Sequence, residues 1–214
     1  MNELNNYLKV KQTIEDNQLK NKTELIVVTK NQNYQNIIDI INAGHLHFGE
    51  NRIQEAEKKW KEFIFSNKNI QLHLLGKLQS NKVKNAIKLF DYIHSLDSQK
   101  LAEKLSEEEK KIGKKIKYFI QVNFDNETQK SGIEPDSVYK FVNYCSSILK
   151  LNIIGLMCIP PVDKDSELYF KKLSDLAKSC TLKELSMGMS NDYITAIRNG
   201  STFVRIGKSI FKRI

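Results

Sequence analysis

A lysine and an arginine stand where the sequence predicts buried strands. Lys30 directly follows the apolar run LIVVT at 25–29, and Arg205 interrupts the apolar run TFVRIG at 202–207. Lys30 is either a surface residue or an amine held at the mouth of a pocket. Arg205 needs an acceptor, because an unpaired buried charge is costly, so it forms either an internal salt bridge or a contact to a ligand. Both residues are therefore candidate ligand contacts.

Two segments rich in glycine and serine could bind an anion such as phosphate. SMGMSNDY at 186–193 leads into a predicted helix, and VRIGKS at 204–209 ends a predicted strand. The backbone N–H groups of Gly207 and Lys208 could donate to an oxyanion, because glycine lets the backbone approach closely. The structural alternative is that Ser190 only caps the helix and that Gly207 only makes a turn.

The elements that must position these residues alternate along the chain. Apolar runs rich in Ile, Val and Leu are separated by amphipathic stretches of helical length. The predicted strands are 25–29, 45–49, 71–76, 92–96, 118–123, 152–159, 184–189 and 202–207. This alternation predicts an α/β fold of parallel βαβ units, either a single (β/α)8 TIM-type barrel or an open doubly wound sheet. An extra helix near Leu4 to Ile14 precedes the first strand, and we expect it to pack against the bottom or side of the barrel.

The residues with chemical potential follow the predicted carboxyl ends of strands, the face on which such barrels hold their active sites. Lys30 follows the first strand, and Glu50 and Asn51 end the second. The loops after strands seven and eight are the usual phosphate site of this architecture. A lysine amine desolvated near other cations can form a Schiff base. The combination indicates a phosphorylated aldehyde, pyridoxal 5′-phosphate.

Composition restricts the class of protein. The 214 residues are 40% hydrophobic and 28% charged, as in a soluble globular protein, and the N-terminus lacks the apolar core of a signal peptide. No run of about 18 apolar residues predicts a membrane span. The three cysteines form neither a CxxC pair nor a zinc spacing, so we expect a cytoplasmic location and no metal.

The net charge of +9 raises the possibility of an anionic partner such as nucleic acid. The 34 basic residues are, however, scattered along the chain, and only four of them are arginine. A lysine-rich composition without a basic stripe is typical of a general compositional bias. We therefore expect neither nucleic acid nor a membrane among the partners.

The candidate segments also resemble a known family. In order between Leu25 and Phe211 the chain contains LIVVTK, FGENRIQE, GKLQSNK, HSLDS, IQVNFDNETQKSGI, GLMCIP, SMGMSNDYITAI and GSTFVRIGKSIF. Together these motifs resemble the pyridoxal-phosphate homeostasis proteins, whose fold is similar to the N-terminal barrel of alanine racemase. The resemblance implies a single pyridoxal-phosphate-binding barrel domain over residues 1–214.

The resemblance implies roles for three residues around the cofactor ring. Lys30 would hold pyridoxal 5′-phosphate as a Schiff base, and Asn51 would lie beside the ring near its 3′ substituent. Arg205 would face the pyridine nitrogen, where a positive guanidinium disfavours protonation of that nitrogen.

Four further residues would surround the phosphate group of the cofactor. The resemblance implies that Ser190 and the backbone N–H groups of Gly207 and Lys208 hold the phosphate, with Ser186 nearby. The loops after strands seven and eight would thus share one anion.

The function implied by the resemblance is intracellular cofactor homeostasis or delivery without catalysis of its own. Expected partners are pyridoxal 5′-phosphate and pyridoxal-phosphate-dependent apoenzymes, and the expected state is a monomer. Only Lys212 to Ile214 follow the last predicted barrel element, so we expect the second, β-rich domain of alanine racemase, which supplies a tyrosine base, to be absent.

The alternative function is a pyridoxal-phosphate-dependent amino-acid racemase or decarboxylase. Such an enzyme needs a second acid or base, for which Tyr34, His73 and Lys82 are the candidates. Lys130, in TQKSG, is either an exposed loop lysine or the holder of a second, transient cofactor.

Overall fold

Eight parallel strands close into a barrel in the computed structural model, which describes residues 2–18, 22–66, 69–125 and 131–211. The strands are β1 (Glu24–Val28), β2 (His47–Glu50), β3 (Gln71–Leu74), β4 (Tyr92–Leu96), β5 (Lys117–Gln121), β6 (Asn152–Met157), β7 (Glu184–Ser186) and β8 (Phe203–Ile206). Each strand pairs with the next, and β8 closes the barrel on β1 with Arg205 opposite Ile26. The predicted α/β barrel is confirmed, and every predicted strand overlaps an observed one.

Helices surround the barrel and cover the outer face of its strands. They are α1 (Glu3–Asn17), α2 (Ile38–Asn42), α3 (Ile53–Ser66), α4 (Val83–Leu89), α5 (Gln99–Ile112), α6 (Pro135–Asn143), α7 (Ser166–Ser179), α8 (Tyr193–Arg198) and α9 (Lys208–Phe211). The predicted N-terminal helix is α1, which packs against α8 and α9 at the side of the barrel. Asn6 Nδ2 of α1 donates to the Ile210 carbonyl of α9 at 3.0 Å. Within the described ranges, no helix combines the length and apolar character that a bilayer crossing requires.

The start of α8 differs from its prediction. Its N-cap residue is Asp192, so the structural alternative in which Ser190 only caps this helix is wrong. The Asp192 carboxylate accepts a hydrogen bond from the Met189 N–H at 2.6 Å, which closes a turn before the helix begins. Because this turn occupies residues 189–192, the Ser190 side chain is free to contact another loop.

The interior of the barrel is only partly apolar. A small cluster fills its apolar part, made of Ile26, Tyr92, Phe119, Met157 and Phe203. Barrels of this class are usually filled by layers of branched aliphatic side chains. Here polar side chains share the interior, and burial of such groups requires hydrogen-bond partners within the protein. The hydrogen bonds of these polar side chains extend to the carboxyl ends of the strands. We call this end of the barrel its mouth.

Candidate cofactor site at the mouth of the barrel

Lys30 lies in the turn that follows β1, at the mouth. Its side chain is exposed, so the expected desolvation of the amine is not found. The next residue, Asn31, has a φ of 58°, in the left-handed region that asparagine tolerates better than most residues. Among the described residues no hydrogen-bond or ion-pair partner engages the Lys30 amine, which is therefore accessible to a carbonyl compound in solution.

A buried carboxylate holds the backbone just before Lys30. Glu50 is fully buried, and its Oε1 accepts hydrogen bonds from Thr29 Oγ1 at 2.7 Å, Lys59 Nζ at 2.8 Å and Trp60 Nε1 at 2.9 Å. The Lys59 amine also donates to the Thr29 carbonyl. Three donors, one of them charged, stabilise Oε1, whereas Oε2 is buried without a hydrogen-bond partner among the described residues. Glu50 thus faces α3 and supports the Lys30 turn from behind.

The backbone after Lys30 is held by the same helix. The Asn31 N–H donates to Glu55 Oε1, and Glu55 also lies 3.3 Å from the Lys59 amine. The turn that carries Lys30 is consequently fixed on both sides by side chains of β2 and α3. Sequence reasoning did not find this support, because it depends on which face of β2 each residue occupies.

Arg205 is buried inside the barrel near its mouth, with 5% of the residue exposed. Its Nη1 donates to Ser186 Oγ at 2.7 Å and its Nη2 to the Cys158 carbonyl at 3.0 Å. Burial lowers the pKa of Arg205, whereas Cys158 and Asp192 act in the opposite direction. Within the described part of the chain no carboxylate forms an ion pair with Arg205, so its partners there are neutral acceptors rather than the internal salt bridge considered above.

A cleft of about 440 Å³ opens at the mouth between the ends of β2, β3, β5 and β6. Asn51 lines it together with Cys158, whose carbonyl accepts the Arg205 hydrogen bond. A Cβ on Gly76 would lie 2.2 Å from the Asn51 carbonyl oxygen, so the glycine permits the close approach of β3 to this residue. Pockets for small organic ligands have this range of volume.

The loops after β7 and β8 meet beside the end of β1. Ser190 Oγ accepts a hydrogen bond from the Ser209 N–H at 3.2 Å. A Cβ on Gly207 would lie 2.8 Å from the Val28 carbonyl oxygen, so only glycine allows this loop to approach β1 so closely. Lys208 is exposed and begins α9, where the first N–H groups have no acceptor within the helix. Ser190 and Gly207 therefore lie in adjoining loops, and Lys208 is the first residue of the helix that follows Gly207.

Ser186, the last residue of β7, contacts side chains inside the barrel. Its Oγ contacts Arg205 Nη1 at 2.7 Å and His94 Nδ1 at 2.8 Å, both inside the barrel. Its described contacts thus associate Ser186 with the residue expected at the pyridine nitrogen rather than with Ser190.

From Ser186, a chain of contacts between three histidines continues through the barrel interior. His94 Nε2 lies 2.9 Å from His73 Nδ1, and His73 Nε2 lies 3.0 Å from His47 Nδ1. Burial lowers the pKa of all three, most strongly for His73 and His94. We call His47, His73, His94 and Ser186 the histidine relay. The sequence offered one signal for it, a histidine in each of three consecutive predicted strands.

The remaining candidates are a buried histidine, two residues in turns that follow strands, and one residue outside the described ranges. His73 is fully buried within the relay, whereas Lys30 is exposed. Tyr34 and Lys82 belong to 3₁₀ turns after β1 and β3, and Lys130 lies outside the described residues. Across the ranges that the structure describes, no three His, Cys, Asp or Glu side chains form a group that could hold a metal ion.

The barrel and the residues at its mouth define a class of protein. Residues 4–213 match the family model described as "Alanine racemase, N-terminal domain". An alanine racemase structure from Clostridium difficile 630 shares the fold with a TM-score of 0.74 at 15% identity, over 99% of this chain and 56% of that one. The class is thus the barrel of the alanine racemase type.

Within this class the chain belongs to the pyridoxal phosphate homeostasis protein family. It is 34% identical to the Haemophilus influenzae protein of that name, over 92% of this chain and 87% of the relative. The Escherichia coli protein of the same name is 31% identical, over 87% and 84%. PipY of Synechococcus elongatus PCC7942, solved with PLP bound, is 33% identical with a TM-score of 0.85, over 98% of this chain and 99% of that one.

Proposed function

We propose that this protein binds pyridoxal 5′-phosphate as a Schiff base on Lys30 and acts in intracellular homeostasis or delivery of the cofactor, without amino-acid catalysis of its own. The observation that carries the proposal is the pairing of an accessible lysine amine with a buried arginine at one end of the barrel. Lys30 follows β1, and Arg205 lies on the neighbouring strand β8. The names of the relatives and the PLP-bound PipY support the same ligand.

The donors at the mouth suit the groups of this cofactor. Lys30 offers an exposed amine for the aldehyde, and the loops that carry Ser190, Gly207 and Lys208 offer a hydroxyl and backbone N–H groups for a phosphate. When bound, the cofactor supplies an electrophilic aldehyde on an electron-withdrawing ring. Asn51 lines the adjoining cleft and would contact the ring.

Arg205 is the residue that we expect to face the pyridine nitrogen of the cofactor. A guanidinium facing the pyridine nitrogen disfavours protonation of that nitrogen and so weakens electron withdrawal by the ring. No described carboxylate pairs with Arg205 to reduce its charge. The proposal therefore assigns this protein the retention of the cofactor and its release to pyridoxal-phosphate-dependent apoenzymes, as a monomer in the cytoplasm.

Absorbance spectroscopy tests the binding mode. Wild-type protein mixed with pyridoxal 5′-phosphate should develop the yellow absorbance of a protonated Schiff base, and the Lys30→Ala variant should not. Lys77→Ala is the matched control, because Lys77 is also an exposed lysine at the mouth. An unchanged spectrum of the Lys30→Ala variant would contradict the proposal.

Solvent exchange tests the absence of catalysis. Loaded protein incubated in deuterium oxide with a panel of L-amino acids should leave their α-protons in place. Robust exchange at the α-carbon of any of them would instead favour the racemase or decarboxylase alternative.

A further inference from the structure

At its Ser186 end the histidine relay contacts the guanidinium of Arg205, a group that can only donate hydrogen bonds. A guanidinium has five N–H donors and no acceptor. Arg205 Nη1 therefore donates to Ser186 Oγ across their 2.7 Å contact. The hydroxyl proton of Ser186 has one described acceptor, His94 Nδ1 at 2.8 Å. The reverse direction, from His94 Nδ1–H to Ser186 Oγ, would leave this buried proton without an acceptor among the described residues.

This first bond determines the proton positions on each histidine in turn. His94 accepts at Nδ1, so in its neutral form it carries its proton on Nε2 and donates to His73 Nδ1 at 2.9 Å. His73 in turn carries its proton on Nε2 and donates to His47 Nδ1 at 3.0 Å. Every hydrogen bond of the relay thus points away from Arg205.

The direction of the relay has an electrostatic consequence for Arg205. Each relay group presents its lone pair towards the guanidinium and its proton away from it. Aligned dipoles of this kind stabilise a buried cation, and hydrogen bonds in series polarise one another. The charge of Arg205 is thereby stabilised without being neutralised by a described carboxylate. A carboxylate would cancel the charge that the ring nitrogen is proposed to meet.

We propose that the histidine relay is a positioning device for Arg205, which holds the guanidinium in its charged, fixed orientation at the cofactor ring. Ser186 is the contact through which the relay acts, and His94, His73 and His47 fix the direction of the Ser186 hydroxyl. This proposal rests on the proposed function for the statement that Arg205 faces the cofactor. The inferred tautomers of the histidines depend on this chain's own contacts and not on the cofactor.

The tautomers can be measured in protein that contains no cofactor. Long-range ¹H–¹⁵N correlation spectra of ¹⁵N-histidine-labelled protein at neutral pH should show His47, His73 and His94 as neutral rings protonated at Nε2. A ring of His73 or His94 that is charged or protonated at Nδ1 would overturn the proposal. The measurement uses the wild-type protein, so it does not depend on a variant that folds.

Ser186→Ala then tests the link to Arg205. Without the hydroxyl, the His94 ring should shift towards a mixture of tautomers, and cofactor retention during dialysis should weaken by about tenfold, as expected for loss of a hydrogen bond to a charged group. Ser186→Thr keeps the hydroxyl and should restore both. Unchanged His94 signals and unchanged retention in Ser186→Ala would overturn the relay. If the wild-type protein never binds the cofactor, the proposed function is refuted. The tautomer measurement on cofactor-free protein still tests the hydrogen-bond direction of the relay independently.

Discussion

Thr29, the residue before the candidate Schiff-base lysine, donates its side-chain hydroxyl to the buried carboxylate of Glu50 at 2.7 Å. The contact ties the end of β1 to the end of β2, and Lys59 strengthens it by contacting both residues. The Lys30 amine is exposed, but the backbone that carries it is held in place. Binding a ligand at Lys30 would therefore require little ordering of the main chain.

Glu50→Gln should destabilise the protein and disturb the Lys30 turn. The substitution removes the charge that faces the buried Lys59 amine at 2.8 Å, and loss of one partner of a buried ion pair is costly. We expect the free energy of unfolding, measured with urea, to fall by about 3–5 kcal/mol, with slower adduct formation at Lys30. Glu107→Gln removes the exposed ion pair with Lys104 and should change neither quantity appreciably. Wild-type stability of Glu50→Gln would show that this carboxylate does not support the turn.

Gly207→Ala should weaken cofactor binding by displacing the loop after β8. Its Cβ would lie 2.8 Å from the Val28 carbonyl oxygen, so the loop or β1 must move. We expect a loss of about 1–3 kcal/mol in the free energy of unfolding, together with weaker binding in a spectroscopic titration. Gly113→Ala is the control, because φ is 75° at the end of α5, and it should cost about 1 kcal/mol without affecting binding. Equal binding by both variants would argue against a phosphate site at Gly207.

Acidification below pH 6.5 should destabilise the folded protein. Burial lowers the pKa of all four histidines, that of His45 to about 4, so the unfolded chain binds protons in this range that the folded chain does not. Stability is therefore retained above pH 6.5 and lost as the pH falls below it, by at most about 1.4 kcal/mol per pH unit for each histidine that stays neutral in the folded state. The charged groups that act on these histidines are Lys11, Lys22, Glu24, Asp91, Lys117 and Arg205.

The dependence on pH is checked by urea unfolding at several pH values between 4.5 and 6.5. His45→Gln removes one of the four histidines. The difference in bound protons between the unfolded and folded states, which sets the slope of the unfolding free energy against pH, should then fall by about one. A stability that is constant or rises on acidification across this window would contradict the burial of the histidines.

The three cysteines should differ in reactivity in the native protein. Burial raises the pKa of the Cys145 and Cys158 thiols to about 12, so both remain protonated at neutral pH. Cys180 is partly exposed and should be alkylated first by iodoacetamide, as peptide mass spectrometry would show. Rapid alkylation of Cys158 would mean that the cleft is more open around Arg205 than its described contacts imply.

The fold and the residues at the mouth could be predicted because they follow from local patterns. Apolar runs separated by amphipathic stretches indicated the barrel, and the carboxyl ends of parallel strands must share one face. The sequence therefore predicts that Lys30 and Gly207 lie on that face. Arg205 interrupts an apolar run and was expected to need a partner, and the structure shows it buried with two neutral acceptors.

The supporting contacts required knowledge of register and stagger. Gly49 faces the barrel interior, where a Cβ would meet Leu75, so its neighbour Glu50 must face α3. For a strand of only four residues, the sequence alone does not determine which alternate residues face the barrel interior and which face the helices. The relay likewise depends on the stagger between strands, which sets His73 opposite Gly49 rather than opposite His47. Such offsets arise from closure of the barrel and are invisible in a single strand.

Peptide mapping after borohydride reduction tests the central claim most directly. Wild-type protein saturated with pyridoxal 5′-phosphate, reduced, digested and analysed by mass spectrometry should carry the reduced cofactor on Lys30. The Lys77→Ala variant should give the same map, and Lys30→Ala should lose the modified peptide. A wild-type map without an adduct on Lys30, or an unchanged amount of bound cofactor in Lys30→Ala, would contradict the account.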